Sequence, residues 1–245
     1  MEKLKLMTIL GTRPEIIKMS EIIKKCDMYF DQILVHTGQH YDANLSEIFF
    51  EELDIPEPAR NLDVGSGSHA QVTGAAMIRI EKVIEEFTPK CVVVYGDTNS
   101  TLAAALAAAK LCIPLIHVEA GPRTYNKTNP EECNRVVVDH ISDYLCAPDR
   151  ISFENLIKEG IAKDKIFFTG DVMYDEFLYC LLQGQDNISL CPDGYILMTW
   201  HRQENTCNRE RMEKIICFIE KISYDIILPL HPRTKKFLEV YGLEE

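Results

Sequence analysis

Two stretches, CVVVYGDTNS at residues 91–100 and IPLIHVEAG at residues 113–121, decide how this chain is read. Each is a short apolar run bounded by glycine, too brief for a helix and matching a strand buried on both faces. Each ends in a carboxylate, Asp97 in the first and Glu119 in the second. Between them, Leu102 to Leu111 is an alanine-rich helical pattern. After a short loop, Pro130-Glu131-Glu132 opens another helix, with Asn134 and Arg135 in its first turns. Ligands of open parallel sheets bind in the crevice outside the carboxyl ends of the strands. Asp97 and Glu119 belong at those ends, with Glu131 near them.

The same alternation extends outward in both directions. Leu4 to Leu10 is a strand pattern that breaks at Gly11-Thr12-Arg13-Pro14, where a proline and then Glu15 suit a helix start. That helix carries Ile16, Ile17, Met19 and Ile22 inward. A second strand, Gln32 to His36, leads into Thr37-Gly38-Gln39-His40, and Asp42 or Asn44 caps a helix containing Ile48, Phe49 and Leu53. Ala76, Ile80, Val83 and Phe87 step by four, three and four, which predicts a long helix. Further on, a strand at Tyr144 to Ala147, a helix from Arg150 and a strand at Lys165 to Thr169 follow. Strands alternating with helices indicate an α/β doubly wound parallel sheet.

Turn formers at 184–187 and 191–194 mark a change of organisation. Beyond them a strand (Tyr195 to Thr199), a helix (Arg209 to Ile222) and a strand (Asp225 to Pro229) start a second unit. So few elements cannot cover both faces of a parallel sheet. The expected division is a first domain over 1–170, carrying the carboxylates, and an incomplete second domain over 171–245.

A net charge of -12 excludes a nucleic-acid binder, which needs a basic footprint. It leaves room for a small anionic ligand held by a few cations or a helix N-terminus. The nine cysteines form no CxxC pair and no framework spacing, as in a reducing cytoplasm. No apolar run approaches the roughly 18 residues of a membrane helix, so neither a membrane nor a signal segment is expected. The histidines lack metal-ligand spacing, no GxGxxG follows a strand, and neither a metal nor a nicotinamide is expected.

Arg13 and Lys18 flank the first helix start, where backbone N–H groups, the helix dipole and two cations suit a phosphate; the alternative is two solvated cations. Asp97 reads equally as a helix cap, and Glu131 as a complement to the helix dipole. Glu119, directly after a buried strand, requires a partner or a raised pKa, and converging carboxylates are expected to raise one another. His201 with Arg202 follows a strand in the second unit and suits a diphosphate or sugar; a structural histidine is the alternative.

Together the motifs are specific. GTRPEIIK (11–18), TGQHYD (37–42), GDTNSTLA (96–103), VEAGPRT (118–124), PEECNR (130–135), GDVMYD (170–175) and HRQEN (201–205) occur in one order. The set resembles the non-hydrolysing UDP-N-acetylglucosamine 2-epimerases, with some segments closer to the subgroup acting on UDP-2,3-diacetamido-2,3-dideoxyglucuronate. The resemblance implies a GT-B-like fold of two Rossmann-like domains facing across a cleft. It also implies C2 inversion through elimination and re-addition of UDP, with no cofactor, and a homodimer is expected. Asp97, Glu119, Glu131 and His201 are then the expected catalytic residues. Arg13, Lys18, His40, Arg123, Arg135 and Arg202 are the expected contacts to a UDP-2-acetamido sugar. Trp200 stands where the family has glycine and is expected to narrow the cleft or tilt His201, and Pro122 replaces a leucine. Glu245 precedes the family's segment for uridine diphosphate, so an inactive nucleotide-sugar-binding fragment is the other reading.

Overall fold

Every residue of β1 (Lys5–Leu10) after Lys5 is buried, as a strand covered on both faces must be. The structure is a computed structural model describing residues 3–38, 50–183 and 194–243. His40 and the cap and helix positions Asp42, Asn44, Ile48 and Phe49 lie outside those residues. Contact grouping gives two compact units, Met1–Cys180 and Leu181–Glu245.

In the first unit, β1 is followed by α1 (Arg13–Tyr29), β2 (Asp31–His36), β3 (Arg60–Asn61), α2 (His69–Phe87), β4 (Cys91–Tyr95) and α3 (Asn99–Lys110). Then come β5 (Leu115–Val118), α4 (Pro130–Ile141), β6 (Tyr144–Ala147), α5 (Arg150–Lys158), β7 (Ile166–Phe168) and α6 (Val172–Gln183). The strands form one sheet in the order β3-β2-β1-β4-β5-β6-β7, and every pair is parallel. The doubly wound α/β sheet expected from the alternation is therefore present. β3 was not expected: Arg60 and Asn61 are both exposed, so no apolar run marks them.

The order reverses at β1, which pairs with β2 on one side and β4 on the other. A crevice opens at such a switch point, outside the carboxyl ends of the strands. Register sharpens the location. Tyr95 lies opposite Val118, so the Gly96-Asp97 turn and Glu119 leave the sheet side by side.

Helices cover both faces. Ile16, Met19 and Ile23 of α1 pack with Leu6, Leu10, Leu34, Val93 and Tyr95. On the other face Ala76, Ile80 and Val83 of α2 and the alanines of α3 pack with Met7, Ile9, Val92 and Val94. The alternation within β1 and β4 follows the period of two. Ala103, Ala104, Ala107 and Ala108 are all buried, and their small side chains let α3 lie close to the sheet and to α2. Burying one Leu or Ile side chain contributes about 1.5–3 kcal/mol, so both faces matter.

In the second unit, β8 (Ile196–Leu197) pairs in parallel with β9 (Ile226–Ile227), accompanied by α7 (Gln203–Thr206), α8 (Arg209–Ile219) and α9 (Pro232–Tyr241). The strands are shorter than the apolar runs suggested, and α7 has no apolar signal. Trp200 is 5% exposed and donates its indole N–H to the Asn205 carbonyl at 3.3 Å. The ring of Trp200 is thus buried. Among the described residues no helix is long and apolar enough to cross a membrane.

Candidate active site

The first wall is the turn after β1. Thr12 caps α1 and forms a capping box with Glu15, whose side chain is fully enclosed. Glu15 Oε2 accepts the Gly11 and Thr12 N–H groups at 2.6 and 2.9 Å. Its Oε1 accepts the hydroxyls of Thr98 and Thr101 at 2.7 and 3.0 Å. Burial pushes this carboxyl up in pKa, and the four hydrogen bonds oppose the push. Glu15 thereby ties the β1–α1 turn to the β4–α3 turn. Gly11 permits the approach: a Cβ there would lie 2.1 Å from Ser100 Oγ and 2.7 Å from Thr37 Oγ1. Arg13 follows, exposed at the first position of α1, where its guanidinium is open to solvent.

Four charged groups meet at the ends of β4 and β5. The Lys18 ammonium lies 3.0 Å from Glu119 Oε2. Arg135 donates to Asp97 Oδ2 from Nε at 2.8 Å and from Nη2 at 2.6 Å, and reaches Glu119 Oε1 at 3.3 Å. The Tyr95 hydroxyl donates to Glu119 as well. Asn134 donates to the Asp97 carbonyl at 2.8 Å.

This overturns one expectation. Burial does push Glu119 up, but the Tyr95 hydroxyl, Lys18 and Arg135 outweigh it and hold the carboxyl below its ordinary value. Lys18 and Arg135 lie against Glu119, which is therefore lowered and not raised. Glu119 is an ionised acceptor, suited to take a proton. Its backbone sits at φ 66°, in the left-handed region that a residue with a Cβ adopts only when its surroundings enforce it.

Glu131 is exposed in the first turn of α4, and no hydrogen bond or ion pair holds it among the described residues. It precedes Arg135 by four residues, which places both on one helix face. The neighbouring Glu132 is buried instead and accepts Thr124 N–H and Tyr125 N–H at 2.8 and 2.9 Å, pinning the loop before α4.

Arg123 is enclosed. Its side chain is 1% exposed and its donors are engaged by Asp139 at 2.7 Å and by Glu159 at 2.7–2.8 Å, so it stands as an interior cation. His201 and Arg202 are exposed in the second unit. The His201 ring lies tilted against His231 with centroids 5.3 Å apart, and Arg202 lies 4.0 Å from Glu204. Tyr95, His117 and Asp139 were missed by sequence reasoning, and Glu15 was read only as suiting a helix start. Glu15 was readable as the fourth member of a capping box; the others carry no local signal. Among the described residues no three His, Cys, Asp or Glu gather to hold a metal ion.

Residues 24–244 match the family model described as UDP-N-acetylglucosamine 2-epimerase. A UDP-N-acetylglucosamine 2-epimerase of Methanocaldococcus jannaschii is 47% identical over 253 residues, covering 98% of this chain and 69% of the relative. The UDP-2,3-diacetamido-2,3-dideoxy-D-glucuronate 2-epimerase of Pseudomonas aeruginosa is 46% identical over 249 residues, covering 98% and 70%. Both relatives are UDP-sugar 2-epimerases, which are isomerases. The crystal structure of the M. jannaschii UDP-GlcNAc 2-epimerase in complex with UDP-GlcNAc and UDP superposes with a TM-score of 0.86 at 46% identity, covering 98% of this chain and 69% of that one. The Neisseria meningitidis UDP-GlcNAc 2-epimerase bound to UDP-GlcNAc gives a TM-score of 0.85 at 29% identity, covering 98% and 70%. The fold class is thus the GT-B-like α/β class expected.

Proposed function

The chain belongs to the UDP-N-acetylglucosamine 2-epimerase family, and on that footing we propose that it inverts C2 of a UDP-2-acetamido sugar. The observation that carries this reading is the Lys18–Glu119–Arg135–Asp97 cluster at the carboxyl ends of β4 and β5, beside the sheet's switch point, with Glu119 held ionised.

A hydrogen on C2 is not acidic by itself. Its removal becomes feasible when the C1–O bond to UDP breaks in the same event. Glu119 takes the C2 proton, the electron pair of that C–H bond forms C1=C2, and UDP leaves with the C1–O pair. The bound 2-acetamidoglucal is then protonated at C2 from its other face while UDP adds back to C1. Both directions need proton-handling groups on two sides of one carbon, and a positioned carboxylate typically contributes about 10²–10⁴-fold. Asp97 and Glu131 supply the opposite-face acid and orientation. Arg135, which gives two hydrogen bonds to Asp97 Oδ2 and also touches Glu119, fixes the two carboxylates relative to each other. Arg13 and Lys18 meet the nucleotide-sugar, Arg13 at the diphosphate, with Lys18 also keeping Glu119 ionised. His201 and Arg202 are assigned to the departing UDP by their place in HRQEN, and His40 to the sugar by TGQHYD.

A second substrate reading stands beside the first, because the diacetamido-glucuronate epimerase of P. aeruginosa is as similar as the UDP-N-acetylglucosamine enzymes. The test is deuterium incorporation at C2 of both UDP-sugars in D₂O, read by NMR. Exchange is expected with at least one, and whichever exchanges faster names the branch. Exchange with neither, on folded protein, overturns the reading in favour of nucleotide-sugar binding without catalysis. We further propose a cytoplasmic homodimer. The eight described cysteines are all unpaired, which suits a reducing compartment. Light scattering at twice the chain's mass is the expected result for the dimer.

A further inference from the structure

Beneath the open cluster lies a second one that the proposed chemistry does not use. His117 of β5 is 0% exposed. Its Nδ1 is 2.7 Å from Asp139 Oδ1 and its Nε2 is 2.8 Å from the Gly96 carbonyl. Both ring nitrogens lie against oxygen atoms, so the ring is held from both sides. Asp139, from α4, is equally enclosed. Its other oxygen accepts the Gly121 N–H at 3.1 Å and the Arg123 guanidinium at 2.7 Å. Although burial pushes Asp139 up, His117 and Arg123 hold it ionised. Glu159 completes the set by pairing with Arg123.

The connectivity has a specific consequence. One carboxylate holds His117 with one oxygen and Gly121 with the other, and Glu119 stands midway between those two residues. The same ring lies against the carbonyl of Gly96, the residue before Asp97. Gly96, Glu119 and Gly121 all have left-handed backbones, at φ 65°, 66° and 92°. Gly121 cannot be replaced without rearrangement, since a Cβ would lie 2.4 Å from the Ser152 carbonyl. Asn155 donates to the Gly121 carbonyl at 3.1 Å and anchors the far side. Three backbone positions that flank the two carboxylates, 96, 117 and 121, are thus tied to a single buried Asp139–His117 contact.

We propose that Asp139 and His117 form a clamp that positions Glu119 and Asp97 for proton transfer. They touch neither substrate nor the reacting atoms; they act through the backbone of residues 96 and 117–121. The inference rests on the epimerase reading only for its rate measurement. Buried groups that hold functional side chains to sub-ångström tolerance govern turnover more than binding, since misplacement by about 1 Å can lower a rate about 100-fold.

The test uses Asp139→Asn and His117→Gln, with Ser142→Ala as control. Ser142 is buried at the end of the same helix and donates to the Val138 carbonyl at 2.7 Å, outside the clamp. Asp139→Asn keeps the shape while removing the charge, so it remains readable if His117→Gln fails to fold. In backbone amide NMR spectra of the substrate-free protein, Asp139→Asn is expected to move the signals of Gly96, Asp97, Glu119 and Gly121 and to leave those of Arg13 and Glu15 in place. In C2 exchange, His117→Gln is expected to lower kcat about 100-fold with KM changed less than about threefold. Ser142→Ala is expected to lose stability with kcat unchanged. Unmoved signals at Asp97 and Glu119 in Asp139→Asn overturn the clamp whatever the activity. A kcat loss in Ser142→Ala equal to that in Asp139→Asn also overturns it. Wild-type protein without exchange sinks the epimerase reading alone, and the NMR result then decides the clamp by itself.

Discussion

Two clusters of four ionisable side chains occupy the ends of the same two strands and differ chiefly in how far their centres are open to water. In the upper one, the side chains of Lys18, Glu119, Arg135 and Asp97 are 14–26% exposed. In the lower one, those of His117, Asp139 and Arg123 are 0–1% exposed, and only Glu159 at its rim, at 23%, reaches water. A partly solvated ion pair is loosely bound and can be re-partnered with a substrate. A fully enclosed pair holds its members in place, because breaking it strands a charge without water. Arg135 and Arg123 differ by twelve positions in sequence and fall on opposite sides of that divide.

The largest expected effect is on the open side. Glu119→Gln is expected to lower C2 exchange about 10³-fold, within the range for a positioned proton-transfer group, while the melting curve stays cooperative. Exchange at the wild-type rate would remove Glu119 from the chemistry. Next is the closed side. Arg123→Met, stranding negative charge on Asp139 and Glu159, is expected to lower unfolding free energy by about 3–5 kcal/mol in urea titrations. The matching Arg135→Met is expected to lower exchange more than stability; equal stability losses from the two would erase the distinction drawn here.

Arg13→Ala is expected to weaken UDP binding by about 1.5–3 kcal/mol in calorimetry, the range for a hydrogen bond to a charged group. Unchanged affinity would place the diphosphate elsewhere. A pH experiment sharpens the contrast further. Glu119 has a folded-state pKa below its ordinary value of 4.5, so its stabilising contribution is complete above that value and is lost as pH falls through the folded pKa. The Tm difference between wild type and Glu119→Gln is expected to be full at pH 7 and to close in acid below that ordinary value. A gap that widens on acidification would mean that Glu119 is destabilised as an anion. The smallest effect is expected from Tyr95→Phe. Loss of its hydroxyl removes one support of the ionised form, so the acid limb of the exchange profile should move to higher pH. An unmoved limb would show that Lys18 and Arg135 suffice.

Much of this was legible from the chain. CVVVY and PLIHV announce buried strands because nothing polar interrupts them, and the carboxylates at their ends follow from the same reading. The paired strands β8 and β9 were readable too, though only two residues of each pair. β3 was hidden, since Arg60 and Asn61 join the sheet through backbone bonds alone. Lys18 was read as a phosphate contact because its position beside a helix start is local information. Its pairing with Glu119, 101 residues away, is not.

The order of apolar runs, the glycines and prolines at their ends, and the motifs from GTRPE to HRQEN determined the α/β class, the crevice and the family. These are properties of neighbouring residues, and hydrophobic period and turn chemistry act over such short ranges. Only the tertiary structure decided which charges are open and which are closed. Burial depends on what packs from above, and no window of sequence around Arg123 or Arg135 contains Asp139, Glu159, Asp97 and Glu119 together in space. It also decided the sign of the shift at Glu119. A carboxylate's pKa reflects the balance of desolvation against nearby donors and charges, and that balance exists only once β1, β4, β5 and α4 are assembled.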